Sequence, residues 1–121
     1  MTSGPSDPAA TAGVARQSGT PEEDLDKQSS CDDRALALRE RGRSFSSIAR
    51  HLGLEGATQA NAAFNRALRR RPAGEQEALR SHETARLDAL GERLRQRDDL
   101  DEVEMARRAK ALERLRRSLT A

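Results

Sequence analysis

The sequence has 121 residues, and its 22 Lys and Arg against 20 Asp and Glu leave a net charge of only +2 at pH 7. This length allows one small domain with a tail, and the 19 Leu, Ile, Val and Phe residues are too few for a core spanning the whole chain. One Cys and two His offer too little for a disulfide, a metal site or a catalytic triad. We therefore expect a non-enzymatic protein without a metal or cofactor and, for want of a long apolar run, without a membrane segment.

Residues 1–30 differ in composition from the rest of the chain. They hold three of the four prolines, their only aliphatic residues after Met1 are Val14 and Leu25, and their net charge is −3. Such a segment buries too little apolar surface to offset the entropy of ordering it. We predict a disordered acidic tail over 1–30 that serves solubility or as a linker, with masking of a basic face by mimicry of nucleic acid as the alternative.

Helix signals begin at the end of this tail. Ser30 and Asp33 have the spacing of a capping box, and Gly42 is of the type that ends helices. A first helix is thus predicted from about Asp32 to Arg41.

A second, short helix is predicted from about Phe45 to Leu52. Ser44 is a favourable N-cap residue, the apolar positions repeat at helical spacing, and Gly53 ends the pattern. Leu54 is apolar where the chain should turn, so we expect it to pack beneath the helices.

A third helix is predicted from near Ala57 to about Arg70, where Pro72 and Gly74 follow. One side of this helix is apolar, with Ala60, Ala63, Phe64 and Ala67 together and Leu68 at the edge. The other side is short, polar and basic, with Thr58, Asn61, Ala62, Asn65, Arg66 and Arg69.

Two further helices are predicted on either side of residues 98–101. The first covers Glu75 to Arg97, and the second has acidic residues in its first turn and arginines in its last, as the helix dipole favours. We expect an antiparallel hairpin over 75–121 that packs on the first three helices or associates with a second copy. The self-association candidates are Leu87, Leu90, Leu94, Leu112 and Leu115.

Residues 44–54 carry a resemblance to a known class of domain. The Ile48–Ala49 pair followed by Leu52 and Gly53 resembles the first helix and turn of helix-turn-helix DNA-binding domains. With the Arg- and Leu-rich hairpin that follows, residues 32–121 resemble small helix-turn-helix proteins of actinobacteria and their phages, including small terminase subunits. The resemblance implies a third helix that enters the major groove of double-stranded DNA.

Charge is distributed in the way a DNA-binding surface requires. Residues 31–74 hold nine basic and four acidic groups, a net of +5, whereas residues 75–121 hold eleven of each. The candidates for reading bases are Thr58, Asn61, Ala62, Asn65, Arg66 and Arg69. The candidates for phosphate contacts are Arg43, Arg50, Arg70 and Arg71.

The sequence as a whole predicts an all-α protein with a helix-turn-helix domain at 31–74 and a helical hairpin at 75–121. We expect it to bind duplex DNA as a homodimer or higher homo-oligomer, as a transcriptional or nucleoid regulator in the bacterial cytoplasm. One alternative is an adaptor whose hairpin, over residues 75–119, docks on a protein partner such as a transcription complex. Another is the DNA-recognition subunit of a phage packaging machine.

Overall fold

The computed structural model describes residues 21–120, and this part of the chain is entirely helical, without a strand. The all-α class predicted from the sequence is therefore confirmed for these residues. The helices are α1 (Pro21–Glu40), α2 (Phe45–Leu52), α3 (Ala57–Arg69), α4 (Ala73–Arg95) and α5 (Glu102–Thr120). None of these five is both long and apolar enough to cross a membrane.

The first helix begins earlier than the sequence pattern predicts. α1 starts at Pro21 rather than near Asp32, so Ser30 and Asp33 lie inside the helix and form no capping box. Proline suits a first helical position, and acidic residues in the first turn stabilise the helix dipole. Once packing anchors the later turns, each residue added at the start of the helix gains a backbone hydrogen bond without the free-energy cost of nucleation. The prediction of a disordered tail is therefore wrong for residues 21–30, and residues 1–20 lie outside the described part of the chain.

The short second helix has the predicted ends. Ser44 Oγ accepts a hydrogen bond from the Ser47 backbone N–H at 3.1 Å, which caps α2 as expected. Gly53 has φ of 71°, a conformation that glycine adopts without strain, and the Leu54 N–H donates to the Ala49 carbonyl at 2.8 Å. Leu54 is half-buried against the core, as predicted.

The core lies where α3 crosses α1 and α2. The five residues predicted to face inward on α3 are all buried, together with Leu36 from α1 and Ile48 from α2. Phe45 of α2 and Phe64 of α3 meet edge to face, with ring centroids 5.6 Å apart. Three of the four other inward positions of α3 hold alanine, which lets the helix backbones approach closely.

The last two helices form the predicted antiparallel hairpin. Arg116 Nη1 lies 2.8 Å from Asp88 Oδ1, and Arg80 near the start of α4 donates to the Leu119 carbonyl near the end of α5. Leu119 is buried in the same cluster as the apolar residues of α1, α2 and α3. The hairpin therefore packs on the first three helices, which is one of the two arrangements the sequence left open.

A buried ion pair joins α1 to α4. The Arg39 Nε donates to both Glu83 carboxylate oxygens at 3.1 Å, and its Nη2 donates to Oε2 at 2.6 Å. The guanidinium also lies 4.0 Å from the centre of the Phe45 ring and donates to the Arg43 carbonyl. This arrangement fixes the direction of α4 relative to the three-helix core.

Candidate nucleic-acid interface

The polar side of α3 is partly covered by the end of α5. The Asn61 and Asn65 side-chain amides donate to Ser118 Oγ at 3.0 and 3.2 Å, and only 4% of Asn65 is exposed. The expectation that this whole side faces solvent is wrong for Asn65, because the hairpin returns across it. Asn65 cannot reach a base edge while α5 is packed there.

The Arg66 side chain is hydrogen-bonded to α1. Its guanidinium makes two 3.0 Å hydrogen bonds to the two carboxylate oxygens of Asp32, and Arg70 adds a third at 3.2 Å. Asp32 is 0% exposed, so these arginines neutralise a buried carboxylate. Donation of these hydrogen bonds to Asp32 is the main reason that the pKa of Arg66 is raised above its ordinary value, against the opposing effect of burial. The basic side of α3 predicts DNA contacts for both arginines, and the carboxylate that holds them lies more than 30 positions away in the sequence.

The other predicted contacts divide into paired and unpaired groups. Arg71 Nη2 lies 3.9 Å from Asp33, to which Arg70 also pairs at 3.6 Å. Arg43 is exposed and donates to Ser47 Oγ, while Arg50 and Arg69 are exposed with no ion pair to any described residue. Of the short side chains, Thr58 is exposed and Ala62 is half-buried.

A groove of about 400 Å³ separates the start of α3 from the last turns of α5. We call this the α3–α5 groove; its lining includes Thr58, Asn61, Arg114, Leu115, Arg117 and Ser118. Arg114 and Arg117 are exposed and have no ion pair among residues 21–120, and no acidic residue lines the groove. The N-cap of α3 is Gly56, which has no side chain to occupy the first N–H groups of the helix. The groove therefore combines two free guanidinium groups with the positive end of a helix.

Sequence reasoning missed Arg114 and Arg117. They lie in a segment of zero net charge, so charge counting placed the basic surface elsewhere. The pattern gives a signal for Arg114 alone, which has no acidic residue three or four positions before it on the helix, whereas Arg117 has Glu113 four positions before it. What brings them beside α3 is the packing of Leu119 into the core.

A second groove of about 360 Å³ lies along the hairpin, which we call the hairpin groove. Leu90, Leu94, Leu112 and Leu115 line it and are half-buried; they are four of the five positions predicted to take part in self-association, which stays a prediction. Leu87 is 0% exposed inside the protein and has no surface to offer a second chain. The rim carries Arg93, Arg97 and Arg108.

Two of the three rim arginines have acidic neighbours at the surface. Arg97 makes a two-bond pair with Asp99, and this hydrogen bonding lowers the pKa of the Asp99 carboxyl to about 2. Arg108 pairs with Glu104 at 2.9 Å, which lowers the pKa of Glu104 as well. Arg93 has no ion pair to a described residue.

Comparison with known proteins adds no relative: no protein-family model, curated protein or solved structure matches the chain. Within residues 21–120, no three His, Cys, Asp or Glu side chains come together where a metal ion could bind.

Proposed function

We propose that this protein binds double-stranded DNA, with α2 and α3 acting as a helix-turn-helix unit and the α3–α5 groove as the contact surface. The start of α3 enters the major groove, and Arg114 and Arg117 hold the phosphates beside it. The observation that carries the proposal is that this groove contains two unpaired arginines and no acidic residue. A regulator of transcription or of nucleoid structure is the role that such binding serves.

The proposed contact set differs from that predicted from the sequence alone. Thr58, Asn61 and the exposed Arg50 stay in it, since each is accessible beside the start of α3 or on α2. Asn65 leaves it because only 4% of the residue is exposed, and Arg66 and Arg70 leave it because both donate to the buried Asp32 carboxylate. Arg69, on the exposed surface at the end of α3, makes at most a phosphate contact at the margin.

The first experiment is fluorescence anisotropy of the full chain on random-sequence duplex DNA across a salt series. Each phosphate neutralised contributes about 0.9 to the slope of log affinity against log salt, so we expect a slope that reports four or more contacts. Arg114→Gln with Arg117→Gln should weaken binding and reduce the slope by about 1.8.

A matched control removes the same charge elsewhere. Arg95 and Arg107 are exposed hairpin arginines paired only to Glu92 and Glu104 within their own helices, and neither lines the α3–α5 groove. Arg95→Gln with Arg107→Gln should keep the wild-type slope. If both double variants lost DNA affinity equally, binding would depend on total charge rather than on the α3–α5 groove, and the assignment of the groove would be refuted. No binding at low salt would refute DNA binding altogether and favour the adaptor.

A further inference from the structure

The hairpin groove is an apolar channel with a cationic rim. Its floor is formed by half-buried leucines of α4 and α5, and its sides carry three arginines, of which Arg93 is unpaired among the described residues. The pairs that Arg97 and Arg108 make are exposed, so their charges still attract an incoming anionic group. The occupant that suits such a channel has an apolar side chain flanked by carboxylates.

This charge distribution argues against the simplest form of self-association. If two hairpins packed groove to groove, the arginine rims of both copies would face each other in a partly dehydrated interface. Like charges brought together in this way cost free energy that a few leucines must first offset. The leucines therefore need an acidic partner rather than a copy of themselves.

The first turns of α1 have the required chemistry. Leu25 is 61% exposed, a large apolar side chain left in water on a helix whose residues 21–28 are all exposed. Glu22, Asp24 and Asp26 surround it in sequence. This segment presents one leucine within a cluster of carboxylates, which is the complement of the hairpin groove.

The segment cannot reach the groove of its own chain. Asp33 contacts Arg71 just before α4, and Arg39 pairs with Glu83 further along, so α1 and α4 run in the same direction. Arg93 lies ten residues beyond Glu83, about 15 Å onward, whereas Leu25 lies fourteen residues before Arg39, about 20 Å the other way. The segment and the groove thus lie at opposite ends of the molecule.

We propose that the acidic start of α1 docks into the hairpin groove of a second copy of this chain, forming a reciprocal dimer. Leu25 inserts among Leu90, Leu94 and Leu112, and its neighbouring carboxylates meet the arginine rim. Because the two elements lie at opposite ends, two chains side by side in opposite directions make both contacts at once. The two-fold arrangement closes on itself and leaves no free site to propagate.

The test is the association state of the full chain without DNA, measured by analytical ultracentrifugation over a range of concentrations. The wild type should dimerise, and added salt should weaken the dimer. Leu25→Asp and, separately, Arg93→Glu should each raise the dimer dissociation constant by on the order of a hundredfold, since each change damages two contacts per dimer. Far-UV circular dichroism confirms that these surface variants remain helical.

Mixing the two variants distinguishes a dimer held by reciprocal contacts between α1 and the hairpin groove from dimers held by other contacts. A pair made of one Leu25→Asp chain and one Arg93→Glu chain has one undamaged contact, from the intact α1 of the second to the intact groove of the first. The mixture should therefore associate more tightly than either variant alone. Val103→Asp is the matched control, because Val103 is 73% exposed and does not line the groove, so it should dimerise as the wild type does.

Three results would overturn the proposal. The first is a wild-type chain that stays monomeric at several hundred micromolar. The second is a dimer that survives Leu25→Asp, which would assign the groove to another occupant. The third is a mixture no more associated than its two components. None of these depends on DNA, so the outcome is separable from that of the proposed function.

Discussion

At the scale of single residues, the most consequential interactions are ion pairs between residues far apart in the sequence, which a local sequence pattern does not predict. Arg39 and Glu83 are 44 positions apart and nearly inaccessible, and Asp32 meets Arg66 and Arg70 across more than 30 positions. Each pair places a charge inside a small protein, where it is tolerated because every carboxylate oxygen has a donor. Within the described residues, no buried side-chain polar atom lacks a hydrogen-bond partner.

Replacing one partner of the Arg39–Glu83 pair should lower the free energy of unfolding more than replacing both partners. Arg39→Met leaves Glu83, whose side chain is 4% exposed, with only Arg86 as a donor, and we expect a loss of about 3 kcal/mol in the free energy of unfolding. The double variant Arg39→Met, Glu83→Leu should lose less than this single variant, because no uncompensated charge remains. Urea denaturation measures both, and a double variant less stable than Arg39→Met would contradict this account.

At the scale of helices, two glycines have opposite roles. Gly53 ends α2 with a positive φ that other residues reach only with strain. Gly91 lies inside α4, four residues before its end, where a Cβ would meet the nearest atoms of Leu112 and Arg116 at 3.8–3.9 Å, an ordinary contact distance. The sequence pattern identifies Gly91 as a weak point of its helix, and the structure shows that there is room to strengthen it.

Substitution by alanine should therefore change stability in opposite directions at these two positions. Gly91→Ala should stabilise the protein by about 0.5–1 kcal/mol, since the helix gains propensity and the methyl group fits beside α5. Gly53→Ala should destabilise it by about 1–2 kcal/mol because of the left-handed backbone. Thermal unfolding followed by circular dichroism checks both, and a lower melting temperature for Gly91→Ala would show that α4 and α5 pack more closely than described.

At the scale of the whole molecule, one buried leucine decides the architecture. Leu119 is 5% exposed in the cluster formed by α1, α2 and α3, so the hairpin and the first three helices share a core. The same contact covers Asn65 and places Arg114 and Arg117 beside α3. Both the loss of Asn65 as a base-reading contact and the gain of the α3–α5 groove follow from it.

Residues 21–120 should therefore unfold in a single cooperative transition rather than as two domains. Leu119→Ala should lower the free energy of unfolding by about 2–4 kcal/mol and speed hydrogen exchange at the side-chain amides of Asn61 and Asn65. Val103→Ala, a change at an exposed position of the same helix, should alter neither. Two separate transitions in the wild type would show that the hairpin folds independently.

Much of the helical framework could be predicted from the sequence. The ends of α2, the inward side of α3 and the hairpin depend on caps, glycines and apolar spacing, all of which act within a few residues. The start of α1 could not be predicted in this way, because its exposed acidic turns have no apolar pattern and are stabilised by extension from an anchored helix. The candidate site was only half predicted: Thr58 and Asn61 were identified, whereas the arginines of α5 were not.

The helical class, the positions of the turns and the buried side of α3 can all be read from the sequence, since they depend on local spacing and on glycine and capping chemistry. Which arginines are free depends instead on how the helices pack. Nine arginines lie between residues 31 and 74, yet four of them are held by carboxylates on α1 and α4, and the free pair beside α3 comes from α5. The physical reason is that a charge is available to a ligand only when no nearer partner neutralises it, and nearness in a folded chain depends on packing rather than on sequence position.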